Sequence, residues 1–329
     1  MTRYARPWIA GALLLAGCVL LAIWALGTGS LSLSAGQVVD ALRGAAPRNI
    51  QTIVTQWRLP RVAVALLLGA ALGASGAIFQ SLLRNPLGSP DVIGFNIGAY
   101  SGVLIAIVVF NSSYLAISGA AMAGGLLTAA LVYLLAWRNG VQTFRLIIVG
   151  IAVRALLMSF NTWLVVSASL ESALTAGLWS AGSLNGITWA KSLPAAGVIT
   201  AALLLALALA RRMRLLEMGD DTACALGVTV ERSRLYLMLA GVALTAAATA
   251  AAGPISFVAL VAPQISRRLG GTGAQAIPLA ALTGSLLLLA ADLAAQRLFI
   301  PYQLPVGVIT VSIGGIYLIG LLIRESQKK

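Results

Sequence analysis

Long stretches of the chain carry no charged residue, and most of them are close in length to the thickness of a membrane. These stretches are 7–39, 62–83, 92–137, 192–210, 235–266, 269–291 and 298–323. A helix needs about 20 predominantly apolar residues to cross the hydrocarbon core of a bilayer. Asn111-Ser112-Ser113 divides the third stretch into two helices. Gly253-Pro254 divides the fifth, because proline lacks an amide donor and stops a helix.

This pattern predicts an all-α integral membrane protein with ten transmembrane helices. Their predicted bounds are 8–26, 62–82, 93–110, 114–136, 146–166, 193–210, 235–251, 254–266, 278–296 and 306–323. The span 146–166 contains a charge, Arg154, and the span 254–266 is short, so it should be tilted into the bundle or shielded by its neighbours. We expect one transmembrane domain over residues 1–329, with its largest charged loop at 211–234.

The composition supports this prediction and excludes several kinds of protein. Hydrophobic residues make up 60% of the chain and charged residues 9%, whereas a soluble domain carries about 25% charged residues. The chain has no histidine, two cysteines and nine acids, which excludes a His/Cys metal cluster and a Ser–His catalytic triad. No lysine follows a glycine-rich phosphate-binding loop. We therefore expect no catalysis and no bound cofactor or metal, and any ATP must be used by another chain.

The 22 lysine and arginine residues are distributed unevenly between alternate loops. Most of them, including Arg211, Arg212, Arg267 and Arg268, fall on the side that also holds both termini. Positive residues accumulate on the cytoplasmic side of membrane proteins, so both termini are predicted to be cytoplasmic. The net charge of +13 reflects this bias, and no basic patch interleaved with aromatic residues indicates binding to nucleic acid.

The N-terminal segment allows two interpretations. Leu15-Ala16-Gly17-Cys18 follows a basic start and an apolar run, as at a lipoprotein cleavage site. The apolar run continues through 19–24, however, which favours an uncleaved first span in which Cys18 is a packing residue. Cys224 falls on a cytoplasmic loop, so the two cysteines are not expected to pair.

The loop 211–234 has the signals of a short helix. Asp220 or Asp221 can cap its start, and Gly227 can end it in a left-handed conformation. Thr229 can then cap the following span. The apolar contact set of this short helix would be Met218, Ala223 and Leu226. We expect the helix to lie across the cytoplasmic mouth and to dock a cytosolic partner, with a plain connector as the alternative.

Two further segments with prolines and arginines each allow two interpretations. Arg84–Asp91 joins the second and third spans, and its prolines indicate either a tight turn or a constriction in a pathway. Arg58-Leu59-Pro60-Arg61 opens the second span on the outer side, with Pro60 in the first turn. Its two guanidinium groups suit either acidic side chains of a partner or lipid headgroups.

Arg154 and Asp292 are the charges best placed inside predicted spans. Charges within the membrane are costly and are usually paired or functional. An ion-gradient-driven carrier would usually need more than one buried carboxylate, so a structural role near the end of its helix is favoured for Asp292.

Several motifs together resemble the iron-chelate and vitamin-B12 permeases of binding-protein-dependent ABC importers. They are Gly69-Ala70-Ala71-Leu72-Gly73-Ala74-Ser75-Gly76, Gln80, Arg84-Asn85-Pro86-Leu87-Gly88-Ser89-Pro90-Asp91, Trp179-Ser180-Ala181-Gly182-Ser183-Leu184, Ala225-Leu226-Gly227, Gly253-Pro254-Ile255-Ser256-Phe257-Val258 and Leu304-Pro305-Val306-Gly307-Val308-Ile309-Thr310. The resemblance covers nearly the whole chain. Within the family, the segments 138–140, 217–227 and 301–305 look most like those of permeases for ferric enterobactin.

The resemblance implies a ten-span permease of the type II importer architecture in the bacterial inner membrane. It also implies the partners, which are a homologous permease subunit in a heterodimer, two cytosolic ATPase subunits that use the ATP, and a periplasmic siderophore-binding protein. The substrate would be ferric enterobactin or a related ferric catecholate. An ion-gradient-driven secondary transporter is the alternative, and the scarcity of intramembrane acids disfavours it.

The same resemblance implies roles for individual residues. The residues that couple to the ATPase would be Glu217, Gly219, Asp220, Asp221, Ala225, Leu226 and Gly227. The residues that dock the binding protein would be Arg58, Arg61 and Arg297. Near the cytoplasmic gate would be Asn85, Leu87 and Thr143, and Asn161 is a polar candidate for lining the pathway. The chain departs from the family at Gln264, where histidine is frequent, and at Gln296, where arginine is frequent. Arg297 would point about 100° further round its helix than that arginine.

Overall fold

The structure is a computed structural model, and it describes residues 5–29, 31–110, 113–137, 143–271 and 276–326. In these residues the helices are α1 (Ala5–Gly27), α2 (Ala35–Arg43), α3 (Arg48–Thr52), α4 (Leu59–Leu82), α5 (Phe95–Leu104), α6 (Tyr114–Ala136), α7 (Thr143–Ser167), α8 (Leu170–Ser180), α9 (Trp189–Glu217), α10 (Asp220–Ala225), α11 (Val230–Ala252), α12 (Val258–Gly270), α13 (Ile277–Arg297) and α14 (Val306–Ser326). The π-helical turn Ile53–Arg58 joins α3 to α4, a second π-helical turn, Ile105–Val109, extends α5, and a 3₁₀ turn covers Pro90–Ile93.

Within the described ranges, seven helices are long and apolar enough to cross a membrane. They are α1, the continuous helix Arg48–Leu82, α6, α7, α9, α11 and α13. The shorter apolar helices Phe95–Val109 and Val306–Gly320 add two more, and the 13-residue α12 supplies the tenth. The predicted all-α fold with about ten membrane helices is therefore confirmed. Because this number is even, α1 begins and α14 ends at one end of the bundle, which the arginine distribution identifies as the cytoplasmic end.

The second predicted span is wrong at its start. The helix begins at Arg48 and continues through the π-helical turn into α4, so Pro60 lies inside a long helix and not in its first turn. A proline inside a helix leaves a carbonyl without its usual amide donor. Here Trp189 Nε1 of α9 donates to the Thr55 carbonyl over 3.0 Å. A side chain from another helix therefore replaces a donor that the proline removes.

The eighth predicted span is also wrong at its start, since α12 begins at Val258 and not at Pro254. Gly253 (φ 73°) and Phe257 (φ 70°) both have positive φ angles, which cannot continue a right-handed helix. Residues 253–257 therefore form an irregular link between α11 and α12. Such backbone is tolerated at membrane depth where it is enclosed by protein or lines a cavity.

This irregular link is held by glycine contacts with two other segments. An added Cβ on Gly182 would overlap the carbonyl of Pro254, and one on Gly307 would overlap the carbonyl of Ala181. The amide of Gly307 donates to the carbonyl of Gly182 over 3.0 Å. The connection after α8, the link before α12 and the start of α14 therefore meet at one crossing.

Three other helices differ from the predicted pattern. α9 continues through Glu217, so residues 211–217 are helical and not part of a loop. α2 and α8 were not predicted, because neither is a long apolar run. Both begin at serine caps: Ser34 and Gln37 form a reciprocal capping box, and the Ser169 hydroxyl accepts a backbone amide of the first turn of α8.

The centre of the bundle is α4, which packs against α13 through small residues. Gly73 lies so close to α13 that an added Cβ would overlap the carbonyl of Ala280, and Gly69 lies in the same way against Gly284. Glycine allows this approach because it has no Cβ, and small residues are typical of closely packed membrane helices. The two helices therefore form a tight pair that the other spans surround.

Replacing Gly76 with alanine should destabilise the contact between α4 and α12. An added Cβ at Gly76 would overlap the backbone carbonyl of Ala259, which cannot rotate away. Overpacking of this kind lowers the free energy of unfolding by about 1–3 kcal/mol. Thermal unfolding of the detergent-solubilised protein, monitored by size-exclusion chromatography after heating, would measure the loss of stability.

Gly119→Ala in α6 is the matched control for this substitution. An added Cβ there has no neighbour within 4 Å, so the same change should leave the unfolding temperature nearly unaltered. Equal unfolding temperatures for the two variants would contradict the tight contact between α4 and α12.

Candidate functional site

The segment 217–227 contains a short helix with a defined turn at its end. Gly227 follows α10 with a φ of 80°, a conformation that favours glycine. Its amide donates to the Cys224 carbonyl, and the Val228 amide donates to the Ala223 carbonyl, each over 2.9 Å. These two hydrogen bonds are the Schellman pattern that satisfies the last carbonyls of a helix. The predicted end of this helix at Gly227 is therefore present in the structure.

The start of α10 differs from the prediction. Gly219 (φ 112°) is the residue that precedes the helix, and no side chain caps it, so neither predicted aspartate is the cap. Asp220 instead lies in the first turn. Ala223 also differs, because its side chain is fully buried while Met218 and Leu226 are exposed. The predicted apolar contact set is therefore wrong in Ala223.

The other predicted coupling residues lie at or near the cytoplasmic surface. Asp221, Ala225, Leu226 and Gly227 are exposed, and Glu217, Gly219 and Asp220 are half-buried. Thr229 precedes α11 as predicted, but its side chain makes no capping hydrogen bond. Segment 217–227 therefore presents a small surface with acidic and apolar groups at the cytoplasmic end.

Loop 84–91 lies beside this segment. It begins at Arg84, which adopts a left-handed conformation with a φ of 48°. The Asn85 side chain then accepts a hydrogen bond from the Leu87 amide over 2.9 Å, so the turn is closed by its own residues. Asn85 and Leu87 are exposed, whereas the next three residues are buried.

Two helices hold loop 84–91 from the other side. Gln264 Nε2 of α12 donates to the Pro86 carbonyl over 2.9 Å. The Tyr317 hydroxyl of α14 donates to Gln264 Oε1 over 3.3 Å. Gln264 is 6% exposed, so this contact is sheltered from water. Gln264, one of the two residues at which the chain departs from the family pattern, therefore anchors the loop.

Arg84 connects loop 84–91 to α10. Its guanidinium donates to the Leu216 carbonyl over 3.0 Å and to the Asp220 carboxylate over 2.5 Å. Arg234 of α11 pairs with the same carboxylate over 3.0 Å. Burial alone would raise the pKa of Asp220, but the hydrogen bonds and charges of the two arginines outweigh it and hold this pKa below its usual value. One ionised carboxylate therefore joins the loop, α10 and α11.

A cavity of about 580 Å³ opens next to loop 84–91. Its lining includes Leu87, Asp91, Asn96, Tyr100, Arg154, Ser256, Phe257 and Leu318. Loss of water contacts raises the pKa of Asp91 to about 6, and the positive charge of Arg154 opposes that rise. The cavity therefore contains two charges of opposite sign beside the irregular link before α12.

The remaining predicted gate and pathway residues lie apart from this cavity. Asn161 is 4% exposed, and its Nδ2 donates to the Ile97 carbonyl over 3.3 Å, which joins α7 to α5. Its Oδ1 is buried and has no hydrogen-bond partner among the described residues. Thr143 begins α7, and its side chain falls outside the described part of the chain. The residues 138–142 and 111–112 lie outside it as well.

Arg58 is used within the subunit. Its guanidinium donates to the Leu26 carbonyl over 2.7 Å and to the Leu31 carbonyl over 2.5 Å. These bonds tie the end of α1 and the connection that follows it to the long helix. The residue was predicted to open the second span, but it lies ten residues after Arg48, where that helix begins.

Arg61 is also paired within the subunit. Its Nε and Nη2 donate to the two carboxylate oxygens of Asp292 over 2.8 Å each, and Gln296 adds a third bond to this carboxylate over 2.8 Å. Such a bidentate pair is the strong geometry for arginine and carboxylate. Arg297 is half-buried in the last turn of the same helix. Asp292 therefore has the structural role that the sequence favoured.

The FecCD transport family matches residues 15–324 of the chain. The chain belongs to this family. A FecCD relative, the ferric enterobactin transport system permease protein FepG of Escherichia coli (strain K12), is 67% identical over 96% of both chains. The achromobactin transport system permease protein CbrC of Dickeya dadantii (strain 3937) is 39% identical and covers 95% of this chain and 90% of its own.

A solved structure extends the FecCD comparison to three dimensions. A chain of a metal-chelate type ABC transporter in an inward-facing conformation superposes with a TM-score of 0.86 and is 30% identical. The superposition covers 97% of this chain and 99% of that one. The predicted family and permease fold are therefore confirmed, and this FecCD chain is a multi-pass protein of the bacterial inner membrane.

Sequence reasoning missed the contacts between the functional segments of this FecCD chain. The ion pair of Arg84 with Asp220 and the anchor of Gln264 at Pro86 join residues more than a hundred positions apart. No local pattern signals either contact. Arg154 does carry a signal in the sequence, because it is a charge within a predicted span, but the sequence does not indicate what its side chain lines.

Proposed function

We propose that this FecCD chain is the permease subunit of an ATP-binding-cassette importer that moves a ferric catecholate siderophore from periplasm to cytoplasm. The observation that carries the coupling mechanism is the Arg84–Asp220 ion pair, because it links the exposed segment 217–227 directly to loop 84–91. The substrate class is ferric enterobactin or a related chelate, and the name of the 67% identical relative supports it.

The proposed complex contains five chains. A homologous permease subunit would form a heterodimer with this chain, two cytosolic ATPase subunits would use the ATP, and a periplasmic siderophore-binding protein would deliver the chelate. The permease itself would bind no cofactor. The helices α7, α8 and α14 carry many exposed apolar side chains, among them Leu156, Leu178 and Ile316, which suits contact with lipid and with a second subunit.

In this mechanism, movement of the ATPase subunits is transmitted through segment 217–227. A displacement of α10 would pull on Asp220 and, through Arg84, on loop 84–91. Because Gln264 fixes Pro86 to α12, the loop would bend between two anchored points and not move as a free strand. Asn85 lies between these points and Leu87 directly follows the second, and together they would open or close the cytoplasmic side of the cavity.

Docking of the binding protein is proposed for the periplasmic ends of the long helix and α13. Arg58 and Arg61 have partners within the subunit, but an arginine has five N–H donors and can still present some of them outward. With Arg297 they form a basic cluster on this surface. Acidic side chains on the binding protein would complement that charge.

The proposed function is tested by uptake into proteoliposomes that hold this chain, its homologous permease and the ATPase subunits. The binding protein and a radioactive ferric tris-catecholate are supplied outside, and ATP is sealed inside. An ionophore collapses all ion gradients. We expect uptake that requires ATP and is unaffected by the ionophore.

The alternative transport class would give the reverse result. Uptake that continues without ATP and stops with the ionophore would mean a secondary carrier, for which Asp91 in the cavity would be the candidate proton-binding group. That outcome would overturn the importer proposal.

A further inference from the structure

Arg154 lies near the middle of α7, where a charged side chain is costly unless it has a polar environment. The residue is exposed in the isolated subunit. Within the described part of the chain it makes no hydrogen bond and no ion pair within 4 Å. It lines the cavity of about 580 Å³ described above. The groups around the cavity must therefore account for a permanent positive charge at this position.

The cavity has the properties of a ligand site. Its volume falls within the range of about 300–1,000 Å³ that is usual for small-molecule pockets. Apolar groups such as Phe257 form part of the wall, and polar groups such as Ser256 and Asn96 converge on the same space. Leu87 of loop 84–91 closes one side, so the cavity lies next to the proposed gate.

Two helices begin at this cavity. Gly94 precedes α5 and Phe257 precedes α12, and both residues are part of the lining. Neither helix start has a side-chain cap. Helix starts carry partial positive charge from their free amides, so both add to the positive potential that Arg154 creates. The cavity therefore favours a negatively charged occupant.

Asp91 is the opposing charge in the cavity, and hydrogen bonds fix the orientation of its carboxylate. Its carboxylate accepts a hydrogen bond from Asn96 Nδ2, and the Thr249 hydroxyl donates to Asn96 Oδ1 over 3.1 Å. The charge of Arg154 acts on this carboxylate. Asp91 thus supplies a fixed negative charge that an anionic ligand would meet beside the guanidinium.

We propose that this cavity is an anion-selective substrate subsite in which Arg154 binds the negatively charged oxygens of the ferric catecholate, with Asp91 as the counter-charge that weakens its hold. This inference rests on the proposed function for its substrate. A ferric tris-catecholate is an anion, because three doubly deprotonated catechols outweigh the charge of Fe³⁺. Attraction by Arg154 with repulsion by Asp91 permits both binding and release.

The test measures binding of a radioactive ferric tris-catecholate to the purified complex in detergent, and ATP-driven uptake of the same chelate into proteoliposomes. Arg154→Gln removes one charge-assisted contact, so we expect binding to weaken by roughly ten- to a hundredfold. Arg154→Lys keeps the charge and should recover much of the binding. Asp91→Asn removes the repulsion and should strengthen binding. Arg145→Gln, at the start of the same helix and not among the lining residues, is the matched control and should bind as the unaltered complex does.

If these residues had only a structural role, Arg154→Gln and Asp91→Asn would not change chelate binding in opposite directions. Co-purification of each variant with the partner permease and the ATPase reports whether it folds. Folded Arg154→Gln complex that binds and imports the chelate as well as the unaltered complex would overturn the subsite while leaving the proposed function intact. An unaltered complex without ATP-driven uptake would instead overturn the proposed function.

Discussion

Replacement of Gly227 with valine should abolish ATP-driven uptake while leaving the protein in the membrane. Gly227 has a φ of 80°, and L residues pay roughly 1–2 kcal/mol in this left-handed region, with β-branched side chains the worst suited. No atom lies within 4 Å of a Cβ added there, so the effect acts through the backbone and not through packing. The Schellman turn that positions α10 would be lost, and with it the alignment of Asp220 with Arg84.

Gly227→Asn is the matched control, because asparagine adopts the left-handed conformation far more readily than valine. We expect this variant to retain most of the uptake. Membrane levels of both variants, measured by immunoblot, separate a transport defect from a loss of protein. Normal uptake by the valine variant would contradict the coupling role of segment 217–227. An equal loss of uptake in both variants would show that the conformation of Gly227 is not the cause.

Replacement of Asp292 with leucine should destabilise the protein by about 3–5 kcal/mol. The Asp292 side chain is 2% exposed, and the Arg61 side chain that it pairs with is 17% exposed. Without the carboxylate, Arg61 would remain in a largely dry site with no counter-charge, and Gln296 would lose its acceptor. Removal of one partner of a buried ion pair is far more damaging than replacement of both.

The double variant Arg61→Leu/Asp292→Leu is the control that isolates this effect. It removes both charges, so we expect it to unfold at a higher temperature than Asp292→Leu alone. Thermal unfolding of the two variants and of Arg61→Leu, in one detergent, completes a double-mutant cycle. A double variant that is less stable than either single variant would contradict the ion-pair explanation.

The membrane spans were predictable because a helix needs about 20 predominantly apolar residues to cross the bilayer. The apolar stretch 114–136 coincides with α6 (Tyr114–Ala136), and the stretch 278–296 differs from α13 by one residue at each end. One boundary error falls at 254–257, where irregular backbone shortens α12, and two fall where helices continue beyond the hydrocarbon, at Arg48–Arg58 and 211–217. Polar residues in a protruding helix have the same composition as a loop, so hydropathy cannot separate the two.

The candidate site was predictable only in its local parts. The turn at Gly227 follows from a glycine after a short helix, and its two closing hydrogen bonds join residues three and five positions apart. The Arg84–Asp220 pair, by contrast, joins residues 136 positions apart, and it depends on how two membrane helices cross. The same holds for Arg61 and Asp292, because nothing in the sequence indicates that these two charged residues form an ion pair.

The ion pair of Arg61 with Asp292 also has a consequence for how the chain is made. The two residues are 231 positions apart, and a ribosome adds about 5–20 residues per second. Asp292 therefore emerges roughly 10–50 s after Arg61. During that interval the nascent long helix holds an unpaired guanidinium and an uncovered row of glycines. We therefore expect the membrane-insertion machinery to shelter this helix until α13 arrives, and we expect a chain truncated before α13 to be degraded by membrane proteases.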